Sequence, residues 1–168
     1  VNSIRAPLPD VEVDKPPLGG EAILEFLTGT IGQSRVLVLG GFGMGKTTQA
    51  QSVVRALAYT RRRGATLPVH VRMDAEAVEV IKANGSLPEL ARCTTPALVT
   101  KEPPRWLEDQ LTRGRCTVVV DDTPEVAEQD RSGISKWLRK QFASYPGTSF
   151  LVTSGPSGEG GLRPDADV

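Results

Sequence analysis

The sequence predicts an α/β fold, a mostly parallel sheet with helices on both faces, from three observations. Continuous apolar runs recur at Val36-Leu37-Val38-Leu39, Thr117-Val118-Val119-Val120 and Ser149-Phe150-Leu151-Val152-Thr153, as in strands buried on both sides. Helical patterns separate these runs, as in a parallel sheet joined by crossovers. The first run also passes directly into a glycine-rich turn and then a helical pattern.

Taken in order, Val1 to Pro17 is proline-rich and aperiodic, an extended leader that must pack on the domain to be ordered. Gly19-Gly20 closes it, and Glu21 to Thr28 carries Ala22, Ile23, Phe26 and Leu27 on one face of a short helix. Arg35 to Leu39 is the first strand. From Lys46 to about Arg62, the residues Ala50, Val53, Val54, Leu57 and Ala58 repeat at helical spacing, with Gly64 as the stop. Leu67 to Met73 alternates, with Val69, Val71 and Met73 on one side and His70 and Arg72 on the other. That is a strand with one wetter face or at a sheet edge.

Short helices follow over Ala75 to Ala83 and Leu87 to Cys93, broken at Asn84-Gly85. Pro103-Pro104 opens another, with Trp106, Leu107 and Leu111 inward and Gly114 as its end. The helix before the last strand turns Ile134, Trp137, Leu138 and Phe142 to one side. At helical spacing beside leucines, both tryptophans belong to the core rather than to an aromatic binding surface. Gly155 to Val168 has no apolar period and reads as disordered. The chain thus divides into a leader with a short helix (1–30), a core (31–156) and a flexible tail (157–168).

With 168 residues, a single domain buries roughly two-thirds of its unfolded surface and needs no disulfide. Cys93 and Cys116 read as free buried thiols in a reducing compartment. Twenty basic residues balance twenty acidic ones, which removes the electrostatic footprint of a nucleic-acid or membrane-surface binder. The Arg61-Arg62-Arg63 cluster falls at a helix end, where cations oppose the negative end of the dipole. No apolar stretch reaches the roughly eighteen residues of a membrane span, and no signal pattern opens the chain, so a cytoplasmic protein is expected. Beginning at Val1 rather than methionine, the sequence reads as a piece of something longer.

Gly40 to Thr47 reads GGFGMGKT, the G-x-x-x-x-G-K-[ST] pattern of a phosphate-binding loop. Its strand-before, helix-after context separates it from a glycine-rich turn with an incidental lysine. Glycines let backbone N–H groups turn around phosphate oxygens, and the helix N-terminus adds positive charge. The candidate nucleotide-binding residues are Gly40, Gly41, Phe42, Gly43, Met44, Gly45, Lys46, Thr47 and Thr48. Lys46 is assigned to the β- and γ-phosphates and the Thr47 hydroxyl to Mg²⁺.

A cation at such a loop needs a carboxylate at the carboxyl end of a neighbouring strand. Asp121, which ends an apolar strand, fits this Walker B position and is the second candidate metal ligand. Asp122 and Glu125 follow it as candidate catalytic residues, and Glu125 is the better placed to orient or deprotonate an attacking water. The alternative for both is a solvated turn or the acidic start of the next helix. Thr153, with Ser154, closes the next strand and is a candidate γ-phosphate sensor. His70, the single histidine, has no partner acid or nucleophile nearby in sequence, which favours a structural role.

The order of elements is the loop at 40–47, Pro68-Val69-His70-Val71-Arg72, Trp106-Leu107 before Gly114-Arg115, the acidic strand end, and Tyr145-Pro146 ahead of Phe150 to Ser154. Over about Gln33 to Pro156 this resembles the nucleotide-binding core of the NACHT family, within the signal-transducing ATPases with numerous domains. The resemblance implies a three-layer P-loop NTPase core with strand order 5-1-4-3-2. Because the chain stops after the fourth strand, the expected order is 1-4-3-2 with the fifth strand missing and the loop-bearing strand at an exposed edge.

In that family the acidic strand continues as D-G-x-D-E and the last strand as T-S-R-P. Here Pro124 replaces one of the paired acids and Gly155 replaces the arginine. These departures point to slow or absent hydrolysis, with binding retained through Lys46, Thr47 and Asp121. The resemblance therefore implies a Mg-dependent module for ATP or GTP, part of a signalling switch that works with protein partners or by self-assembly within a larger parent.

Two other readings compete. Gly40-Gly41 and Gln49 suggest a small nucleotide or metabolite kinase, although Arg131, Arg139 and Arg163 are scattered rather than grouped as a basic lid requires. The other is a scaffold that keeps the fold and binds no nucleotide.

Overall fold

The computed structural model describes residue 23 and residues 34–59, 66–95, 102–122 and 128–155, with the backbone alone at 122 and 128. The leader, the short helix expected over 21–28 apart from Ile23, the Arg61 to Arg63 cluster, Glu125 and the tail beyond Gly155 lie outside these residues.

Four strands, β1 (Arg35–Leu39), β2 (Leu67–Met73), β3 (Cys116–Asp122) and β4 (Ser149–Ser154), form one sheet in the order β1-β4-β3-β2. Every pairing is parallel. The helices are α1 (Lys46–Tyr59), α2 (Ala75–Lys82), α3 (Leu87–Thr94), α4 (Trp106–Thr112) and α5 (Glu128–Ser144). The α/β class, the parallel sheet and the order 1-4-3-2 agree with expectation. Among the described residues β1 has one strand neighbour, β4.

Two cores flank the sheet, because each central strand sends alternate side chains to opposite faces. On one face Val69, Val71, Met73, Val118, Val120, Phe150 and Val152 pack with α2, α3, α4 and α5 through Ala77, Leu87, Leu90, Leu107, Leu111, Trp137 and Leu138. On the other, Val119 and Leu151 pack with Ile23 and with Ala50, Val53 and Leu57 of α1. Burying side chains such as Val53 and Leu57 contributes about 1.5–3 kcal/mol each, which fixes α1 across the sheet and with it the turn that carries Lys46 and Thr47. Ala58, expected on the inward face, is exposed. One helical step of about 100° from Leu57 carries it past the stripe defined by Ala50, Val53 and Leu57.

Local chemistry sets the helix ends on the larger-core side. Asp74 caps α2 by accepting from Ala77 N at 2.9 Å. Ser86 and Glu89 form a reciprocal capping box at α3. At α4 the first residues are tied by Glu102, whose carboxylate accepts from Leu107 N at 2.9 Å. The same carboxylate receives Arg92 of α3, which also reaches Glu108 of α4, so one guanidinium joins the two helices. Gly114, at φ +64°, ends the turn after α4 where an added Cβ would lie 2.5 Å from Gly147 O. Only glycine fits both that backbone angle and that approach.

Both thiols are free. Cys116 is buried as expected, and burial pushes its thiol up to about 12. Cys93 is half-buried instead, since it sits near the exposed end of α3, and partial burial followed by Glu76 raises it to about 11. Among the described residues, no helix is long and apolar enough to cross a membrane.

Candidate functional site

In a parallel sheet all carboxyl ends lie at one edge, and that edge gathers the candidate residues. Leu39, the last residue of β1, is level with Ser154, and Thr153 is level with Asp121. The β1–β4 ladder runs one step further, with Gly40 N donating to Ser154 O at 3.2 Å. The loop that starts at Gly40 therefore leaves the sheet directly beside the end of β4, with the end of β3 one strand further on.

The loop then makes a tight turn before α1. Gly43 and Gly45 adopt φ of +77° and +75°, a region that L side chains rarely enter. Space around them is open, with nothing within 4 Å of an added Cβ, so their requirement is the backbone angle itself. Met44 N donates to Gly41 O at 3.4 Å, and Gln49 N donates to Gly45 O at 2.9 Å, the first bond of the helix. Phe42 is 90% exposed and Met44 is 72% exposed, so neither is held in a core.

Lys46 and Thr47 form the first turn of α1, where backbone N–H groups without intrahelical acceptors carry partial positive charge. The Lys46 ammonium bends back over the loop and donates to Gly40 O at 2.6 Å and Gly41 O at 2.9 Å. Thr48 is exposed, and its carbonyl accepts from Ser52 Oγ at 2.8 Å.

Thr47 joins the loop to β3. Its hydroxyl donates to Asp121 Oδ1 at 3.3 Å. Thr153 Oγ1, on β4, donates to the same oxygen at 2.8 Å. Asp121 is fully buried, at 0% exposure, and among the described residues its other oxygen, Oδ2, has no hydrogen-bond partner. A buried carboxylate oxygen without a donor is costly. It is therefore a position where a cation or a donor is chemically wanted.

Among the described residues, no group of three or more His, Cys, Asp or Glu could hold a metal ion. A Mg²⁺ ion does not need one, since it is commonly held by one or two carboxylates together with waters and substrate phosphates. The Asp121 carboxylate and the Thr47 hydroxyl fit that donor set.

Of the remaining candidates, Asp122 is described by its backbone at the end of β3, and Glu125 lies outside the described residues. Ser154 is buried at the end of β4. His70 is level with Val119 on the α1 side of the sheet, and its buried Nε2 has no hydrogen-bond partner among the described residues. Burial pushes its pKa down, Asp121 opposes this, and Arg72 adds to it, which keeps the imidazole neutral at neutral pH.

Thr153, expected as a γ-phosphate sensor, donates its hydroxyl to Asp121 Oδ1, a bond that sequence reasoning did not foresee. Sequence reasoning also passed over Arg131 as one scattered arginine. In the structure a terminal nitrogen of Arg131 lies 3.9 Å from where a Cβ on Gly155 would be, beside the end of β4. No sequence signal marks that placement, because it arises from where α5 starts.

No protein-family model matches this sequence, and no curated protein matches it.

Proposed function

We propose that this chain is a Mg²⁺-dependent binding module for a nucleoside triphosphate, ATP or GTP, built as a P-loop NTPase core of the NACHT type. The observation that carries the reading is the chain of hydrogen bonds from Thr47 through Asp121 Oδ1 to Thr153. It joins a GKT turn to a buried carboxylate on a different strand, at the sheet edge where ligands of open α/β folds collect.

In this reading the backbone N–H groups of Gly41 to Thr47 and the N-terminus of α1 receive the phosphates. Lys46 exchanges its carbonyl partners Gly40 and Gly41 for β- and γ-phosphate oxygens. Thr47 and Asp121 hold Mg²⁺, and Thr153 acts as a positioning residue that occupies Asp121 Oδ1 and leaves Oδ2 as the stronger donor. When bound, the ion would neutralise part of the phosphate charge. Asp122 and Glu125 are the proposed catalytic carboxylates, on the sequence alone. With Pro124 beside Glu125 and Gly155 after β4, the module holds nucleotide more readily than it hydrolyses it. In a larger parent the bound state would control assembly with protein partners or with further copies.

Thermal unfolding of the purified protein with ATP, GTP or neither, each with and without Mg²⁺, tests this. Nucleotide present at a hundred times its dissociation constant stabilises the native state by about 2.7 kcal/mol. A rise in Tm of several degrees that needs both nucleotide and Mg²⁺ is expected. No shift with either nucleotide overturns the reading and favours a scaffold.

A further inference from the structure

A carboxylate taken out of water wants a cation nearby, because its charge is otherwise uncompensated. Asp121, at 0% exposure, is in that position. The Lys46 ammonium is bonded to Gly40 O and Gly41 O, and the two donors on Asp121 Oδ1 are neutral hydroxyls. The strand on the far side of β3 supplies a cation. Arg72 of β2 is the register partner of Asp121, just as Thr153 is on β4.

Register partners in a parallel ladder share a face, and neighbouring strands lie about 4.8 Å apart. Asp121 is on the α1 face, since it accepts from Thr47 and since Val119, two residues before it on β3, packs against α1. Arg72 therefore belongs to the same face. It is exposed and, among the described residues, makes no hydrogen bond or ion pair. His70, one row below on that face, feels both groups: the Asp121 carboxylate raises its pKa and the Arg72 guanidinium lowers it. The two charges thus stand side by side without a hydrogen bond between them, and Oδ2 stays unbonded.

We propose that Arg72 is the counterion of Asp121 in the empty site and the charge against which Mg²⁺ has to bind. It balances the buried carboxylate across a gap, and it repels a divalent cation that approaches the same oxygen. Arg72 therefore sets how much Mg²⁺ the site demands, and a triphosphate, which brings its own negative charge, relieves the repulsion. The Mg²⁺ half rests on the nucleotide-binding reading above, whereas the coupling of Arg72 to Asp121 does not.

A double-mutant cycle tests the coupling without any ligand. Thermal unfolding is measured for the wild-type chain, Arg72→Gln, Asp121→Asn and the double variant, with Arg72→Lys as the charge-retaining control. Arg72→Gln is expected to lower Tm by about 2–4 °C beside Asp121 and to change it by less than about 1 °C beside Asn, with Arg72→Lys close to wild type. An equal shift in both backgrounds overturns the coupling. Mg²⁺ titrated at fixed ATP tests the other half. With the repulsion removed, half-saturating Mg²⁺ is expected to fall at least about threefold in Arg72→Gln, by a margin that shrinks in high salt. An unchanged or higher Mg²⁺ requirement overturns the competition. If the wild-type chain binds no nucleotide, the binding reading and the Mg²⁺ half fall together, and the cycle still decides the coupling.

Discussion

Asp121→Asn separates what the buried carboxylate does for stability from what it does for function. In the folded chain Asp121 is fully buried, receives two hydroxyl donors on Oδ1 at 3.3 Å and 2.8 Å, and among the described residues has no partner on Oδ2. An asparagine oxygen accepts the same two donors, so neither hydrogen bond need be lost. The amide nitrogen in place of Oδ2 leaves donors without an acceptor, at a cost of about 1–3 kcal/mol. Against that, replacing a carboxylate with a neutral amide removes a burial penalty of several kcal/mol. The balance is a gain of about 1–2 kcal/mol, and a domain of this size shifts by roughly 2–4 °C per kcal/mol. Scanning calorimetry is therefore expected to find Asp121→Asn melting about 2–8 °C higher than the wild-type chain, while Mg²⁺ no longer improves its nucleotide binding. A position that gives up stability for function behaves in this way. The reasoning is refuted if the variant melts several degrees lower and still responds to Mg²⁺.

Other consequences follow from the packing. Arg92→Ala strands Glu102, whose side chain is 5% exposed, and is expected to lower urea stability by about 3 kcal/mol, whereas Lys82→Ala, which removes a solvent-exposed cation from Glu79 and Asp130, should change it far less. Hydrogen bonds from Arg92 hold the Glu102 and Glu108 carboxyls below their usual range. A depressed carboxylate contributes stability that is full above its unfolded value of about 4.3 and is lost as pH falls through the folded value. Stability between pH 5 and pH 2 should therefore fall less steeply in Arg92→Ala than in the wild-type chain. Gly114→Ala puts a Cβ at positive φ and 2.5 Å from Gly147 O, and an equilibrium unfolding loss of at least about 2 kcal/mol is expected. A loss under about 0.5 kcal/mol would mean that this turn is looser than described.

How much of this was legible in the sequence depended on how local each signal was. The loop, its strand and its helix are contiguous, so GGFGMGKT after Arg35 to Leu39 announced them together. Asp121 was legible because an apolar run buried on both faces ends at its acid, and parallel connections bring such ends to one edge. The strand order came from resemblance rather than from periodicity, which says which residues face a core but not which strands are neighbours.

Contacts that need tertiary register stayed hidden. That the Thr153 hydroxyl turns to Asp121 depends on the β3–β4 register, in which the two residues are level. Arg92, Glu102 and Glu108 look like solvated charges until α3 and α4 are packed together. Likewise Gly114 was readable as a helix stop, while its contact with Gly147 depends on two turns that are far apart in the chain meeting at one end of the sheet. Ala58 was placed inward by a periodicity that does not know where a packed face ends, and Cys93 by its apolar neighbourhood in sequence, which does not show that its end of the helix is open.

The central claim, that the Gly40 to Thr47 loop and Asp121 together bind a nucleoside triphosphate with Mg²⁺, is most directly tested by titration calorimetry. ATP and GTP would each be titrated, with and without Mg²⁺, into the wild-type chain and into Lys46→Ala. Lys46 is held by the carbonyls of its own loop at 2.6 Å and 2.9 Å, so the variant should fold and its loss should be one of binding. The account predicts saturable, Mg²⁺-enhanced binding of at least one nucleotide by the wild-type chain, weakened at least tenfold in a folded Lys46→Ala. Equal binding by both proteins, or none by either, would contradict it.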